Sequence, residues 1–310
     1  MKRLFLTLIL VLLVSGCTLP GGWNPFQSGG TQVKELPPDV ISINNVTVLP
    51  STSVRAKDEF SLYFELFNQE EFDYTNVSYN LYDTGLCEVL AGGQPAISSA
   101  STSGNLTPEL APKETRQIEW AFQAPDADKI AHIKVTCPIR FRFDFSYNAK
   151  SQIDVLVISS EHFSELQKAG KSTTFSPTVN VGRGPIKTYF DFGTTLPVKN
   201  NASLPVYIRV EDKGTGMLQE IANDSFTITF KDFNLTDVDC PYFNCNKTSG
   251  VCKNNASIPI ISKKSLDIRC SGIKTPANIG VGIPEKTYFI SSFLDYDYYV
   301  AGEVDVQVNP

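Results

Sequence analysis

The 310-residue chain is short of the residues that most catalysis needs: it has two histidines, two methionines and two tryptophans. His132 and His162 stand apart, neither in an H-E-x-x-H nor an H-x-x-x-H setting. That removes the usual basis for metal-dependent or triad chemistry. No G-x-S-x-G elbow, P-loop or G-x-G-x-x-G occurs. No basic cluster follows Lys2-Arg3, and 27 Lys plus Arg stand against 33 Asp plus Glu, so nucleic acid is not an expected partner. The uncharged run Leu4–Val14 has 11 residues, short of the roughly 20 of a membrane-spanning helix.

That run reads instead as an export leader. Lys2-Arg3 supplies the basic start, and Val14-Ser15-Gly16-Cys17 closes it as a lipobox, with small residues before a thiol able to carry a diacylglyceryl thioether. Residues 1–16 are the expected signal peptide and Cys17 the expected lipidated N-terminus, so the membrane becomes a partner through the lipid anchor. An ordinary signal peptide and a retained anchor are the alternatives. The segment 17–39, rich in Gly, Pro and polar residues and closed by Pro37-Pro38, is expected to be a flexible tether. As a random coil it would reach roughly 25 Å.

Six further cysteines remain: Cys87, Cys137, Cys240, Cys245, Cys252 and Cys270. An even number in an exported chain predicts disulfides. Cys87 and Cys137 make one bridge, and the last four allow three pairings, of which Cys240 with Cys270 and Cys245 with Cys252 is preferred. A zinc site is the alternative, but the C-x4-C-x6-C-x17-C spacing lacks paired C-x2-C knuckles. Eight sequons occur, at Asn45, Asn76, Asn105, Asn201, Asn223, Asn234, Asn246 and Asn255, against roughly three expected from composition. They predict a glycosylated exterior. Asn105 is the poorest acceptor, because Pro108 follows Thr107. A lipobox beside dense sequons points to an archaeal surface more than a bacterial one.

Beyond Val40 the pattern has period two. Phe60, Leu62, Phe64 and Leu66 alternate with polar residues, as do Ile139, Phe141, Phe143 and Phe145. Other expected strands are Ile41–Leu49, Val77–Tyr82, Gln117–Gln123, Ile130–Thr136 and Ile153–Ile158. Ser159–Lys171 breaks the rhythm with early Glu161 and Glu165, late Lys168 and closing Gly170, and predicts a short linker helix. Alternation returns at Leu204–Val210, Phe226–Phe230, Leu266–Cys270, Tyr288–Val300 and Glu303–Val308. The expected fold is all-β: two tandem immunoglobulin-like antiparallel sandwiches, 40–158 and 186–310, joined by a helical linker at 159–185. The second carries a cysteine-bearing insertion, Asp237–Lys253.

The block Phe60–Asp83, with Asn68, Asn76-Val77-Ser78 and Tyr82-Asp83, followed by Leu110-Ala111-Pro112-Lys113-Glu114 and a strand with Trp120, resembles the adhesion-related Ig-like modules called CARDB. The resemblance implies a sandwich used as a spacer or adhesive unit. The second half shares only the strand rhythm.

Among residues that could carry chemistry, Asp83-Thr84-Gly85 matches an aspartic-protease loop, but it occurs once and reads as a turn. His132 reads as a sheet residue and His162 as a helix-surface one. The pairs Asp126/Asp128, Asp237/Asp239 and Asp295/Asp297 lack the density of a calcium loop. If calcium binds, Asp237 with Asp239 is the choice. Tyr288, Tyr296, Tyr298 and Tyr299 could stack on sugars, but Tyr296 and Tyr298 share parity with Leu294 and Val300 and so belong to a core face. No cofactor is expected. The leading expectation is a non-enzymatic lipoprotein on the extracytoplasmic face of the membrane, acting as an adhesion or interaction module toward surface proteins or glycans. A self-associating subunit of a surface lattice or filament comes second. A ligand-binding lipoprotein serving a transporter comes third, because almost no helix is available for an α/β cleft.

Overall fold

The structure, a computed structural model, describes residues 32–72, 76–90, 102–171, 175–218, 220–259 and 265–310. The leader, Cys17 and the tether up to residue 31 lie outside the described residues. The first strands are β1 (Gln32–Glu35), β2 (Ile41–Leu49), β3 (Ser53–Arg55), β4 (Glu59–Asn68), β5 (Ser78–Asp83), β6 (Glu88–Val89), β7 (Ser103–Asn105), β8 (Thr115–Gln123) and β9 (Val135–Ile158). Helix α1 (Ser160–Lys168) follows. Then come β10 (Thr178–Val181), β11 (Ile186–Phe192), β12 (Val198–Lys199), β13 (Val206–Asp212) and β14 (Met217–Leu218). The last are β15 (Phe226–Thr229), β16 (Phe243–Asn246), β17 (Val251–Asn254), β18 (Leu266–Cys270) and β19 (Glu285–Asn309). The protein is thus nearly all β, in several sheets.

Two strands organise everything else. β9 and β19 have 24 and 25 residues and pair antiparallel from Ile158 with Glu285 to Val135 with Val308. At roughly 3.3 Å per residue the ribbon is about 80 Å long. Its inner face never changes parity. Odd residues of β9 from Cys137 to Val157 and even residues of β19 from Tyr288 to Val308 are buried with few exceptions, while their neighbours face outward. No glycine or proline interrupts β9 between Ile139 and Ile158, so nothing in the chain forces a break.

Two smaller sheets cover this face. The four-stranded sheet β2-β4-β8-β6 packs on the end that holds Cys137–Phe145, and we call this the first lobe. Phe64 of β4 stacks on Phe141 at 4.6 Å between ring centroids and meets Trp120 at 5.5 Å. The three-stranded sheet β11-β13-β18 covers the other end, the second lobe, with β11 against β9. There the spine widens to β1-β10-β9-β19-β15-β17-β16.

Several expectations are corrected by this arrangement. The segment 159–185 does not lie between the lobes. The chain passes from one lobe to the other within β9, and α1 caps the far end of the second lobe, after which β10 returns to pair with Ser151–Ile153. Likewise 186–310 does not close on itself. Glu303–Val308 pairs with Val135–Arg140 of the first lobe, and Gln307–Asn309 pairs with β3. The physical reason is the preserved parity: continuous alternation lets one strand serve two cores. The last part of the expected tether is also ordered, since Gln32–Glu35 pairs parallel with β10. The cysteine-bearing insertion is not a loop but holds the β16–β17 hairpin, which extends the spine sheet.

Candidate functional surface

Cys87 is bonded to Cys137, Cys240 to Cys270 and Cys245 to Cys252. Cys87 precedes β6 of the covering sheet and Cys137 lies on the spine, so the first bond ties the two layers of the first lobe. Cys270 ends β18, and Cys240 opens the segment leading to β16, so the second bond does the same in the second lobe. The third staples the hairpin at a directly opposed pair.

All eight sequon asparagines are exposed. Among the described residues the two buried asparagines, Asn68 and Asn254, lie outside sequons and are fully used. Asn68 Nδ2 donates to the carbonyls of Phe72, Leu110 and Ala111, while its Oδ1 accepts the Glu70 N–H at 2.8 Å. Asn254 Nδ2 donates to Ala222 and Ala256, and its Oδ1 accepts the Phe226 N–H at 2.8 Å. Asn223, Asn246 and Asn255 rim one open pocket of about 730 Å³ beside β16.

The waist between the lobes is polar and aromatic. Tyr147, Tyr296 and Tyr298 stack edge to face along the inner face of the ribbon. Tyr147 donates to Glu70 Oε1 at 3.1 Å and Tyr298 to Asp212 Oδ1 at 3.0 Å, while the Tyr296 hydroxyl accepts the Ile186 N–H. Burial pushes all three hydroxyls above the ordinary tyrosine value. Gly184, at φ +118°, makes room for them, since a Cβ there would stand 2.5 Å from the Tyr147 ring. Tyr288 is buried as well and Tyr299 is half-buried under Arg142, so the tyrosine cluster belongs to the core face and its rim.

Lys187 is the feature that sequence reading missed. It is fully buried, with Nζ donating to the carbonyls of Leu36 at 2.6 Å, Gly182 at 2.8 Å and Pro37 at 3.4 Å. Burial brings its pKa down to about 8, opposed by the carboxylates of Glu35, Asp39 and Glu70 and assisted by Arg183. Alternation gave no signal of it: Lys187 lies on the row opposite Ile186, Phe190 and Phe192, where an exposed charge is expected.

The remaining sequence-level sites are scattered. Asp83 Oδ1 accepts the Gly85 N–H and Asp83 faces Arg140 at 3.4 Å, as a turn residue does. His132 is not on a strand. It is exposed in a turn with φ +54°, 3.3 Å from Asp128, because β9 starts only at Val135. His162 lies on α1, 3.4 Å from Glu165. Asp126 pairs with Lys57 and Asp237 faces Lys274 at 3.7 Å. Asp237 and Asp239 are both exposed, and the described residues hold no group of three ligating side chains around them. Asp295 and Asp297 face outward on β19, and Asp297 lies near Asp144 of β9, whose carboxyl burial raises. A groove of about 910 Å³ flanks β1 and is lined by Val33, Leu36, Lys150, Ser292 and Phe293 among others. No described helix is long and apolar enough to cross a membrane.

No protein-family model matches the chain, and no curated protein does. Solved structures that resemble parts of it do so distantly. A chitinase, ChiA74 from Bacillus thuringiensis, is 14% identical with a TM-score of 0.20, over 79% of this chain and 28% of that one. This chain therefore spans under a third of that enzyme's length. Serine-rich repeat protein Srr2 from Streptococcus agalactiae is 8% identical with a TM-score of 0.17, over 86% of this chain and 92% of that one. The B domain of a biofilm associated protein is 9% identical with a TM-score of 0.16, over 86% and 74%.

Proposed function

We propose that the protein is a non-enzymatic, lipid-anchored and glycosylated surface protein whose two lobes, the first an Ig-like module resembling CARDB and the second Ig-like in strand rhythm, present an adhesion or interaction surface outside the membrane. The observation that carries the reading is the distribution of asparagines. Every sequon asparagine is exposed and, among the described residues, both buried asparagines lie outside sequons, the pattern expected of acceptor sites kept open to a transferase. Three disulfides fit the same oxidising exterior. Cys17 anchors the chain. Intact mass of the membrane-extracted protein, with and without reductant and glycosidase, tests lipid, disulfides and glycans together. A diacylglyceryl adduct on Cys17, a six-proton gain on reduction and a glycosidase-sensitive excess are expected. An unmodified chain with six free thiols overturns the reading. A glycan and cell-binding screen with the soluble chain from residue 32 then addresses the partner, and substrate turnover abolished by one point substitution would overturn the non-enzymatic part.

Self-assembly is the second reading. β1 is an end strand of the spine sheet, and the Leu36 N–H bonds to Val181, which puts the backbone groups of Val33 and Glu35 on the open side. Such an edge can accept a strand from another copy. A mature protein that stays monomeric at high concentration counts against it.

A further inference from the structure

Three sequon asparagines lie within strands, and each of those strands is the edge of a sheet. Asn45 is on β2, the outer strand of β2-β4-β8-β6. Asn105 ends β7, which pairs only with β5. Asn246 ends β16, the last strand of the spine sheet. No interior strand carries a sequon; the other five lie outside the strands, four in turns and loops and Asn234 in an isolated bridge to Lys274. Edge strands expose unpaired N–H and C=O groups and are templates for unwanted pairing, so proteins blunt them with charges, prolines, bulges or covering segments.

We propose that N-linked saccharides on Asn45, Asn105 and Asn246 serve as edge caps that prevent copies from pairing sheet to sheet, while the end strand β1 carries none. This rests on the glycoprotein reading above. An added strand must approach to about 4.8 Å of the edge backbone, and a bulky hydrated group fixed on that strand excludes it. The attachment bond joins Asn Nδ2 to the anomeric carbon of a lipid-phosphate-linked saccharide; the phosphate leaves with the bonding pair and the amide gives up one proton.

Local geometry suits this chemistry. Asn246 Oδ1 accepts the N–H groups of Thr248 at 2.9 Å and Ser249 at 3.0 Å, which leaves Nδ2 as the unused end of the amide. Asn45 sits at φ +53° in a bulge between Asn44 and Thr47, where the ladder with β4 is interrupted. Its Nδ2 donates to Glu65 Oε2 at 2.7 Å, a bond that a secondary amide retains through its remaining proton. Pro108 after the Asn105 sequon makes that cap the weakest of the three.

The other long edges are covered by the chain itself. Lys187 and Tyr189 of β11 are bonded to Leu36, Pro37 and Glu35, which places the N-terminal segment over that edge. β18 is flanked by the Asp239–Ser271 bridge and the Cys240–Cys270 bond. β1, the end strand of the spine sheet, carries no sequon.

The test uses full-length protein extracted in detergent from a glycosylating host. Peptide mass spectrometry scores occupancy of each sequon, and sedimentation velocity over a concentration series scores association. In one variant Asn45, Asn105 and Asn246 become Gln; in a matched control Asn201, Asn223 and Asn234 become Gln. A second edge variant, Thr47→Ala with Thr107→Ala and Thr248→Ala, removes the same sequons but keeps the asparagine hydrogen bonds, which guards against misfolding. Both edge variants are expected to raise the weight-average mass at least about twofold with rising concentration, while the control follows the wild type. Edge variants as monodisperse as the control overturn the proposal. So does native protein glycosylated at loop sequons but empty at Asn45 and Asn246. If all eight sequons are empty, the glycoprotein reading falls with it.

Discussion

The two lobes solve one problem with different materials. In the first, the inner face of the spine meets an aromatic layer in which Phe60, Phe64, Trp120, Phe122, Phe141 and Phe143 are all buried. Six large rings fill the space between two regular sheets, and one inter-layer disulfide suffices. In the second, the same spine presents Ile153, Val155, Val157 and Ile290 to Ile186, Val206, Ile208, Val210 and Ile268. Many of its strands are short, such as β12, β14, β16 and β17, with long connections between them, and it carries two of the three disulfides. Its buried rings are dispersed in pairs, Phe226 with Phe243 and Phe233 with Tyr288, where the first lobe gathers six together, and cross-links that limit the unfolded chain support its short strands.

Because both lobes use the same ribbon, the comparison is sharpest where one lobe is damaged and the other observed. Phe64→Ala removes a ring that touches Phe141, Trp120 and Phe143, and should lower stability by about 3 to 5 kcal/mol in denaturant unfolding. Ile208→Ala in β13 should lose about 2 to 5 kcal/mol. In each case a single transition is expected, monitored by Trp120 fluorescence for the first lobe and far-ultraviolet circular dichroism for the whole. Two separated transitions would show that the spine does not couple the lobes.

Disulfides come next. On loop length alone, opening Cys87–Cys137, with a separation of 50, should cost about 4 kcal/mol, Cys240–Cys270, with 30, roughly 3.5, and Cys245–Cys252, with 7, about 2. Paired Cys→Ala variants measured by the same unfolding assay check that order. If the hairpin bond proves the most important, the second lobe depends on local geometry more than on chain entropy.

A smaller effect separates the lobes by their buried asparagines. Asn68→Ala removes the amide that bonds the Phe72, Leu110 and Ala111 carbonyls and the Glu70 N–H, and Asn254→Ala removes the one that bonds the Ala222 and Ala256 carbonyls and the Phe226 N–H, Ala222 keeping the Ser225 hydroxyl. Each should lose about 1 to 3 kcal/mol. Amide hydrogen exchange should show the first confined to the loops after β4 and before β8, and the second confined to the turn before β15.

Much of the fold was legible from alternation alone. Phe60–Leu66, Gln117–Gln123 and Leu266–Cys270 fall on β4, β8 and β18, because an inward row of large apolar residues fixes both period and face. What was not legible was where a strand ends. Ser146, Asn148, Lys150 and Gln152 look like a polar break between two strands, yet they are the outward row of β9, and the inward Tyr147, Ala149 and Ser151 keep its parity. Tandem domains and a shared spine have the same local pattern there; only long-range pairing with β19 distinguishes them. Gln32–Glu35 was hidden for a similar reason, since four residues carry too little alternation to separate a strand from a tether. Lys187 was invisible because its acceptors are backbone carbonyls, which leave no mark in sequence.

The smallest expected effect concerns pH and isolates the waist. Lys187 titrates at about 8 in the folded protein against an ordinary 10.5, so above pH 8 the unfolded chain binds more protons at this residue than the folded one. Stability therefore rises with pH from about 8, as the penalty of keeping a buried ammonium is relieved. The waist tyrosines act oppositely. Tyr147, Tyr296 and Tyr298 are held above their ordinary value of 10.0, so the unfolded chain ionises first and stability falls as pH passes that value. The expected profile is a maximum between about pH 9 and 10. Lys187→Met should flatten the rising limb and Tyr296→Phe should soften the falling one, as read from denaturation midpoints at half-unit pH steps. A rising limb that survives Lys187→Met would mean that the ammonium is solvated in solution, and that the segment Leu36–Pro37 is not fastened to β11 by these bonds.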